Sequence, residues 1–122
     1  MVELDYYQEN IKDWTISCFG KDVASNKAER NYRFIEEALE LVQACGCTKE
    51  ECLQLVDYVY GRDKGEVEQE MGGAFITLLA LCNAHELEME TIVDKSIEEN
   101  WKKIKKIRHK WENKPKFGPL PQ

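Results

Sequence analysis

Proline is almost missing from the body of this sequence. The 122 residues contain only Pro115, Pro119 and Pro121, all within the last eight positions. Because proline is the strongest helix breaker, long helices are allowed almost everywhere before it. There is also no run of alternating β-branched residues bounded by turns, and no internal repeat, which leaves little support for a β-sheet. The sequence therefore predicts an all-α fold.

Long apolar runs and an export signal are also missing. No stretch approaches the roughly 18 uncharged apolar residues that a membrane span needs, and the start, from Met1 to Asp5, is acidic where a signal peptide would be basic and then apolar. The five cysteines are odd in number and fall mostly in predicted helices, which argues against a disulfide framework. We expect a cytoplasmic protein with no membrane partner, organised as one helical domain over 1–113 and a proline-containing tail over 114–122.

The charges are unevenly distributed. The net charge is −6, yet the segment from Trp101 to Lys116 holds eight Lys or Arg residues and one acid, so it carries +7 and the remainder −13. The basic segment can be a solvated helix face, or it can attract phosphate. The acidic remainder argues against nucleic acid as a partner.

Helix start and stop signals predict about five helices in a core that resembles a four-helix bundle. Gly46 stands just past a helix end, where φ can be positive. Thr48 with Glu51 has the spacing of a capping box and begins the next helix. The predicted helices run from about Asp5 to Cys18, Lys27 to Cys45, Thr48 to Tyr60, Glu66 to His85 and Glu90 to Trp111.

The second predicted helix carries carboxylates close to its apolar face. At 100° per residue, Glu36 faces solvent, whereas Glu37 projects between Leu41 and Ala44, and Glu40 lies beside Glu37 at i,i+3. An isolated carboxylate is costly to bury unless it is paired, hydrogen-bonded or bound to a metal. A metal is one explanation, and a salt bridge is the other. The candidate partners for a salt bridge are Lys27, Arg30 and Arg33.

The fourth predicted helix is apolar or small on every side from Met71 to Cys82, which predicts a central, buried helix. Its two adjacent glycines, Gly72 and Gly73, indicate a close approach by a neighbouring helix or a ligand. Glu66 and Glu70 lie on the side where a partner helix must pack. Two helices that each bring two inward carboxylates are typical of bundles that hold divalent cations, and oxygen-only ligands favour Mg²⁺, with Mn²⁺ possible.

Several segments resemble a known family. EEALE, at positions 36–40, has the form EExxE, and a later apolar helix carries EQEMGGAFITLLALCNAHELEM. Together with NYRFIEEALELVQACGCTKEE, QLVDYVYGR and KPKFGPLPQ, they resemble a phage and bacterial branch of small MazG-like nucleoside triphosphate pyrophosphohydrolases, from about Trp14 to the end. The resemblance implies a MazG-like all-α fold and a Mg²⁺-dependent enzyme that splits a nucleoside triphosphate into the monophosphate and pyrophosphate.

The family pattern of EExxE followed by ExxD transfers to this chain residue by residue. It implies that Glu37, Glu40 and Glu70 are metal ligands, but Gly73 stands where the family has a fourth acid. Glu66, Glu36 or water could replace that ligand, and Glu36 and Glu37 are the candidate catalytic residues. The loss of the acid leaves an alternative, a catalytically weak or inactive module that binds a nucleotide or a protein partner.

The remaining expectations concern substrate and assembly. Because a 122-residue chain has few helices to surround an apolar one, we expect a homodimer or homotetramer with the second and fourth predicted helices near the interface, in a bacterial cell or a phage-infected host. The tail can be a disordered end, or, as we expect, it folds over the pocket of its own subunit or of a neighbour as a lid. The candidate substrate contacts are Arg33, Arg62, Lys64, Lys114 and Lys116 for phosphate, and Trp14 for the base.

Overall fold

The computed structural model describes residues 3–113 and 118–120, and the regular structure in these residues is entirely helical. The all-α prediction is therefore confirmed, whereas a MazG-like four-helix core stays a prediction. No helix in the described ranges has both the length and the apolar character needed to cross a bilayer. The helices are α1 (Glu3–Phe19), α2 (Lys21–Ala24), α3 (Lys27–Ala44), α4 (Lys49–Tyr60), α5 (Val67–Ala84), α6 (Met89–Lys102) and α7 (Ile104–Glu112).

The described residues form seven helices, where the sequence predicts about five. One difference is the short α2 after Gly20, and the other is a break at Lys103 in what the sequence predicts as one long final helix. The backbone N–H of Lys103 is shared between the carbonyls of Glu99 and Asn100 (3.2 Å each), and the Asn100 carbonyl also accepts a hydrogen bond from the indole N–H of Trp14 (3.0 Å). A side chain that inserts into the helical hydrogen-bond ladder interrupts it, so a tertiary contact explains the break between α6 and α7.

The contacts divide the chain into two compact units, Met1–Glu40 with Lys95–Gln122, and Leu41–Asp94. In the first unit, α1 supplies the most buried side chains, Thr15 and Cys18. The ring of Phe19 packs in edge-to-face geometry against the rings of Trp14 and Trp111, at centroid distances of 6.1 and 5.3 Å. Aromatic pairs in this geometry add to the stability given by burial alone. The single-domain interpretation stays a prediction.

Two indole groups link α1 to α6 in the first unit. Trp14 donates from α1 to the Asn100 carbonyl, and Trp101 donates from α6 to the Asn10 side-chain oxygen at 2.7 Å. The two hydrogen bonds run in opposite directions between the same pair of helices. They set the register in which α1 and α6 meet.

The second unit contains a short, fully hydrogen-bonded connection between α3 and α4. Gly46 has φ 92°, and the N–H groups of Gly46 and Cys47 bond to the carbonyls of Gln43 and Val42, which is the Schellman pattern. At Thr48, the side chain accepts from Glu51 N–H and the Glu51 carboxylate accepts from Thr48 N–H. The predicted helix stop at Gly46 and the predicted capping box are therefore both confirmed.

Helix α5 is not buried within the single chain, contrary to the prediction of a central buried helix. Met71 and Ile76 are each 68% exposed, and only Cys82 is buried among its residues. The second unit contains one other complete helix, α4, and the ends of α3 and α6. One complete neighbour cannot cover a helix that is apolar on every side.

Candidate metal site

Helix α3 carries three carboxylates within two turns, in an arrangement that corrects the sequence-based prediction. Glu37 and Glu40 are exposed, whereas Glu36 is half-buried and its Oε1 accepts a hydrogen bond from Arg33 Nη1 at 3.1 Å. The prediction placed Glu36 in solvent and Glu37 on the buried side. The apolar face of α3 is open in the single chain, since Phe34 is 63% exposed. Arg33, three residues earlier, holds Glu36 in place instead.

The carboxylate of Glu37 is electrostatically unfavourable when charged. Although the residue as a whole is exposed, the surrounding protein removes some water from its carboxylate, which is the first cause of a raised pKa, and repulsion from Glu40 and Glu36 adds to it. Among the described residues, no basic side chain forms an ion pair with Glu37, and Arg33 instead pairs with Glu29 (3.4 Å) and Glu36 (3.1 Å). The described contacts therefore do not support a salt bridge as the explanation for the position of Glu37. A proton or a bound cation would relieve this repulsion.

The donor chemistry on α3 fits Mg²⁺. Glu37 and Glu40 offer only oxygen, and Mg²⁺ is usually held by one or two carboxylates together with water and substrate phosphates. Within 3–113 and 118–120, no three Asp, Glu, His or Cys side chains of this one chain form a metal-binding group. The candidate ligands that lie on one helix are therefore the two carboxylates of Glu37 and Glu40 on α3.

The second carboxylate pair lies at the start of α5, in the second unit. Glu66 is the N-cap residue in extended conformation, and Glu70 lies in the first turn. The Glu70 carboxylate lies so close over Gly65 that any side chain at position 65 would displace it. Gly65 thus makes room for the Glu70 carboxylate. Glu37 and Glu40 belong to the first unit, and Glu66 and Glu70 belong to the second. A metal site that includes both pairs therefore stays a prediction.

Position 73, where the family pattern has an acid, is open within the chain. A Cβ atom built on Gly73 or on its neighbour Gly72 meets nothing within 4 Å. The predicted close approach of another helix to these glycines is therefore not seen in the described chain. The space at both positions admits a larger side chain.

The residues predicted to contact phosphate differ in how many contacts they already make with other protein groups. The Arg62 guanidinium stacks over the Tyr58 ring at 4.5 Å, and Lys64 is exposed in the following loop. Arg33 is held by Glu29 and Glu36, and its Nη2 also donates to the Pro119 carbonyl. Each terminal nitrogen of Arg33 carries a second N–H group, but the neighbouring carboxylates already balance its charge. Lys114 and Lys116 lie outside the described residues.

Trp14, the predicted stacking surface for the base, has a structural role in the first unit. Its indole N–H is engaged by Asn100, its ring packs at the edge of Phe19, and the side chain is half-buried. A base that stacked on this ring would compete with these contacts. The stacking role stays a prediction.

Two features were missed by sequence reasoning. The first is the contact between Arg33 and Pro119, for which an exposed arginine and a proline-rich tail gave no specific signal. The second is the contact of the Cys47 and Cys52 sulfur atoms, 3.7 Å apart. The capping box could have revealed it, because these cysteines precede and follow Thr48 at the N′ and N4 positions, which pack together in many helices.

Comparisons with protein-family models, curated proteins and solved structures found no match to this chain. The MazG-like resemblance therefore depends on the quoted motifs. The carboxylate arrangement on α3 is the structural observation that bears on it.

Proposed function

We propose that this chain is a Mg²⁺-dependent nucleoside triphosphate pyrophosphohydrolase that acts in the cytoplasm. The reaction adds water between the α and β phosphates and releases a monophosphate and pyrophosphate. The proposal combines the MazG-like motifs with the acidic cluster on α3. It assigns the nucleotide chemistry to the carboxylates and not to the basic segment.

The observation that carries the proposal is the crowding of Glu36, Glu37 and Glu40. The pKa of Glu37 is raised, first by removal of water from its carboxylate and then by repulsion from Glu40 and Glu36, and no described basic residue forms an ion pair with it. Repulsion between these charged carboxylates destabilises the folded chain unless a cation binds to them. Both Glu37 and Glu40 are exposed enough to reach one.

In this proposal Glu37, Glu40 and Glu70 hold the metal, and Glu66 or Glu36 takes the place of the acid missing at position 73. Bound Mg²⁺ supplies charge neutralisation for the phosphate oxygens. Glu36 or Glu37 accepts the proton of the attacking water. Arg62 and Lys64, which lie in the loop before α5, contact the phosphates.

The proposed enzyme is a homodimer or a larger homo-oligomer whose interface includes α3 and α5. Apolar side chains on both helices are widely exposed in the single chain, and burial of the part of each one that is still exposed contributes about 1 to 2 kcal/mol. The exposed fractions are 63% for Phe34, 50% for Ile35, 68% for Met71 and 68% for Ile76.

A panel of ribo- and deoxyribonucleoside triphosphates incubated with Mg²⁺ or Mn²⁺ tests the function. We expect monophosphate and pyrophosphate in equal amounts, and no product when the metal is chelated. Chromatography of the products distinguishes this cleavage from release of inorganic phosphate. Nucleoside diphosphate among the products, or no product from any substrate, would contradict the proposal.

Gly73 favours a second candidate function, a weakly active or inactive module that binds a nucleotide or a protein partner. The glycine supplies no oxygen where the family pattern has an acid, and no described side chain fills the space beside it. Nucleotide binding in a calorimeter without pyrophosphate release would support this candidate.

We predict that Gly73→Asp strengthens metal binding and raises turnover about tenfold at limiting Mg²⁺, because each added carboxylate increases the charge that holds the cation. The open space at position 73 accepts the side chain, and Asp is no worse than Gly in a helix. The activity is measured as a function of Mg²⁺ concentration.

Gly72→Asp is the matched control, since position 72 is equally open but points about 100° away around the helix. An equal gain from both variants would indicate a general effect of negative charge. No gain from Gly73→Asp would count against a metal at this place.

We also predict that removal of residues 114–122 raises the Michaelis constant for nucleotide several-fold and leaves the melting temperature nearly unchanged. The Pro119 carbonyl accepts a hydrogen bond from the Arg33 side chain on α3, and the tail lysines offer charge to a triphosphate near an acidic site. Steady-state kinetics and thermal melting measure the two effects. A full-length variant with Lys114→Gln and Lys116→Gln separates lost charge from lost docking, and unchanged kinetics in the truncated chain would rule out a lid.

A further inference from the structure

Cys47 and Cys52 occupy the two ends of a rigid connection in the second unit. Cys47 is at once the last residue of the Schellman motif that ends α3 and the residue before the Thr48 N-cap of α4. Cys52 lies one turn into α4 and donates its N–H to the Thr48 carbonyl at 3.0 Å. The backbone on both sides of the two thiols is therefore fixed by hydrogen bonds. The sulfur atoms lie 3.7 Å apart.

The third nearby thiol, Cys45, is placed differently. It is the residue directly after α3, its side chain is exposed, and the structure describes no contact between its sulfur atom and another cysteine. Cys47 and Cys52 are in contact with each other. Because both are only half-buried, small molecules can still reach them. The chain thus offers a matched pair of thiols and an unmatched neighbour two residues away.

We propose that Cys47 and Cys52 form a site of reversible oxidation, a dithiol that a small-molecule disulfide such as oxidised glutathione converts into a disulfide across the start of α4. One cysteine thiolate attacks the glutathione disulfide, forms a mixed disulfide and releases one glutathione thiol. The other cysteine then attacks the protein sulfur of the mixed disulfide and releases the second glutathione. Two protein thiols give up two electrons and two protons, and two glutathione thiols are formed.

The proximity of the two sulfur atoms favours the second step. A disulfide needs sulfur atoms at about 2.05 Å, so the existing contact has to shorten between two residues whose flanking backbone is held by hydrogen bonds. Attack within a preorganised site is far faster than attack by a second glutathione molecule from solution. The pKa of the Cys47 thiol is raised, first by its hydrogen bond with Cys52, so the resting pair at neutral pH is the dithiol.

The experiment uses the full chain as two single variants, Cys45→Ser and Cys47→Ser, incubated with millimolar oxidised glutathione. Each variant keeps one cysteine between Arg33 and Lys49 and keeps Cys52 after Lys49. After the free thiols are alkylated, trypsin cuts at Arg33, Lys49 and Arg62 without reduction. A disulfide between the two sides appears in the mass spectrum as peptide 34–49 joined to peptide 50–62.

We expect the joined peptides to form at least about tenfold faster in Cys45→Ser than in Cys47→Ser, and to separate on addition of dithiothreitol. In strong urea the difference should vanish, because the folded connection no longer positions the thiols. The oxidised Cys45→Ser protein should also melt a few degrees higher than its reduced form, since the disulfide closes a short loop. Equal rates in the folded variants, or only mixed disulfides with glutathione, would overturn the proposal.

Discussion

Replacement of Glu37 or Glu70 by glutamine is expected to lower pyrophosphate release by about two orders of magnitude or more, because each change removes a charged metal ligand while it keeps the side-chain volume. The helices should remain folded. At neutral pH without metal, Glu37→Gln should melt at the same temperature as the unchanged protein or higher. The raised pKa of Glu37 means that its charged form is less favourable in the folded chain than in the unfolded one.

The sign of that effect can be followed with pH. A carboxyl whose pKa is raised by folding lowers the stability as the pH rises from its unfolded value through its folded value. Glu37→Gln should remove this loss. Added Mg²⁺ should raise the melting temperature of the unchanged protein by mass action and have little effect on the variant.

Glu50→Gln, an exposed carboxylate in the first turn of α4, is the matched control and should retain full activity. Glu36→Gln should have a smaller effect than Glu37→Gln, since Glu36 is paired with Arg33. Full activity in both Glu37→Gln and Glu70→Gln would rule out the proposed site. It would leave the oxidation of Cys47 and Cys52 untouched, because that inference does not depend on catalysis.

The second large effect concerns assembly. Ile76→Glu is expected to dissociate the protein into monomers at micromolar concentration, because a carboxylate buried in an apolar interface without a partner is strongly unfavourable. Ile76 lies on α5 and is 68% exposed in the single chain, so the change should not disturb the fold of the monomer. Light scattering coupled to size-exclusion chromatography measures the mass of both proteins.

Leu4→Glu is the matched control, since Leu4 is an apolar residue of α1 with 62% exposure that lies outside the proposed interface helices. This variant should assemble like the unchanged protein. A monomeric unchanged protein at micromolar concentration would refute the proposed homo-oligomer. An Ile76→Glu protein that still assembles would move the interface away from α5.

Sequence reasoning succeeded where the determining interactions are local. Thr48 and Glu51 exchange their hydrogen bonds across three residues, and Gly46 ends α3 with a positive φ. These features need no distant partner, because side chains and backbone groups within one turn satisfy each other. The end of α3 and the start of α4 follow from them, and the limits of α3, α4 and α5 all fall within a residue or two of the predicted positions.

The acidic cluster shows how far the same reasoning extends to the site. The spacing of Glu36, Glu37 and Glu40 on one helix is fixed by the sequence alone, and so is their mutual repulsion. Which of the three is covered is not fixed. Arg33 turned toward Glu36, and the apolar face that was expected to bury Glu37 is open in the single chain.

The sequence by itself determined the all-helical character, the helix ends at Gly46 and Thr48 and the clustering of acids on α3, because each depends on residues within a few positions of one another. Only the tertiary structure decided the break at Lys103, the structural role of Trp14 and the contact of Arg33 with Pro119. The break and the role of Trp14 follow from one hydrogen bond between α1 and α6, and the third contact joins α3 to the tail. Their partners lie 86 positions apart in the chain, and no local pattern encodes which distant groups will meet.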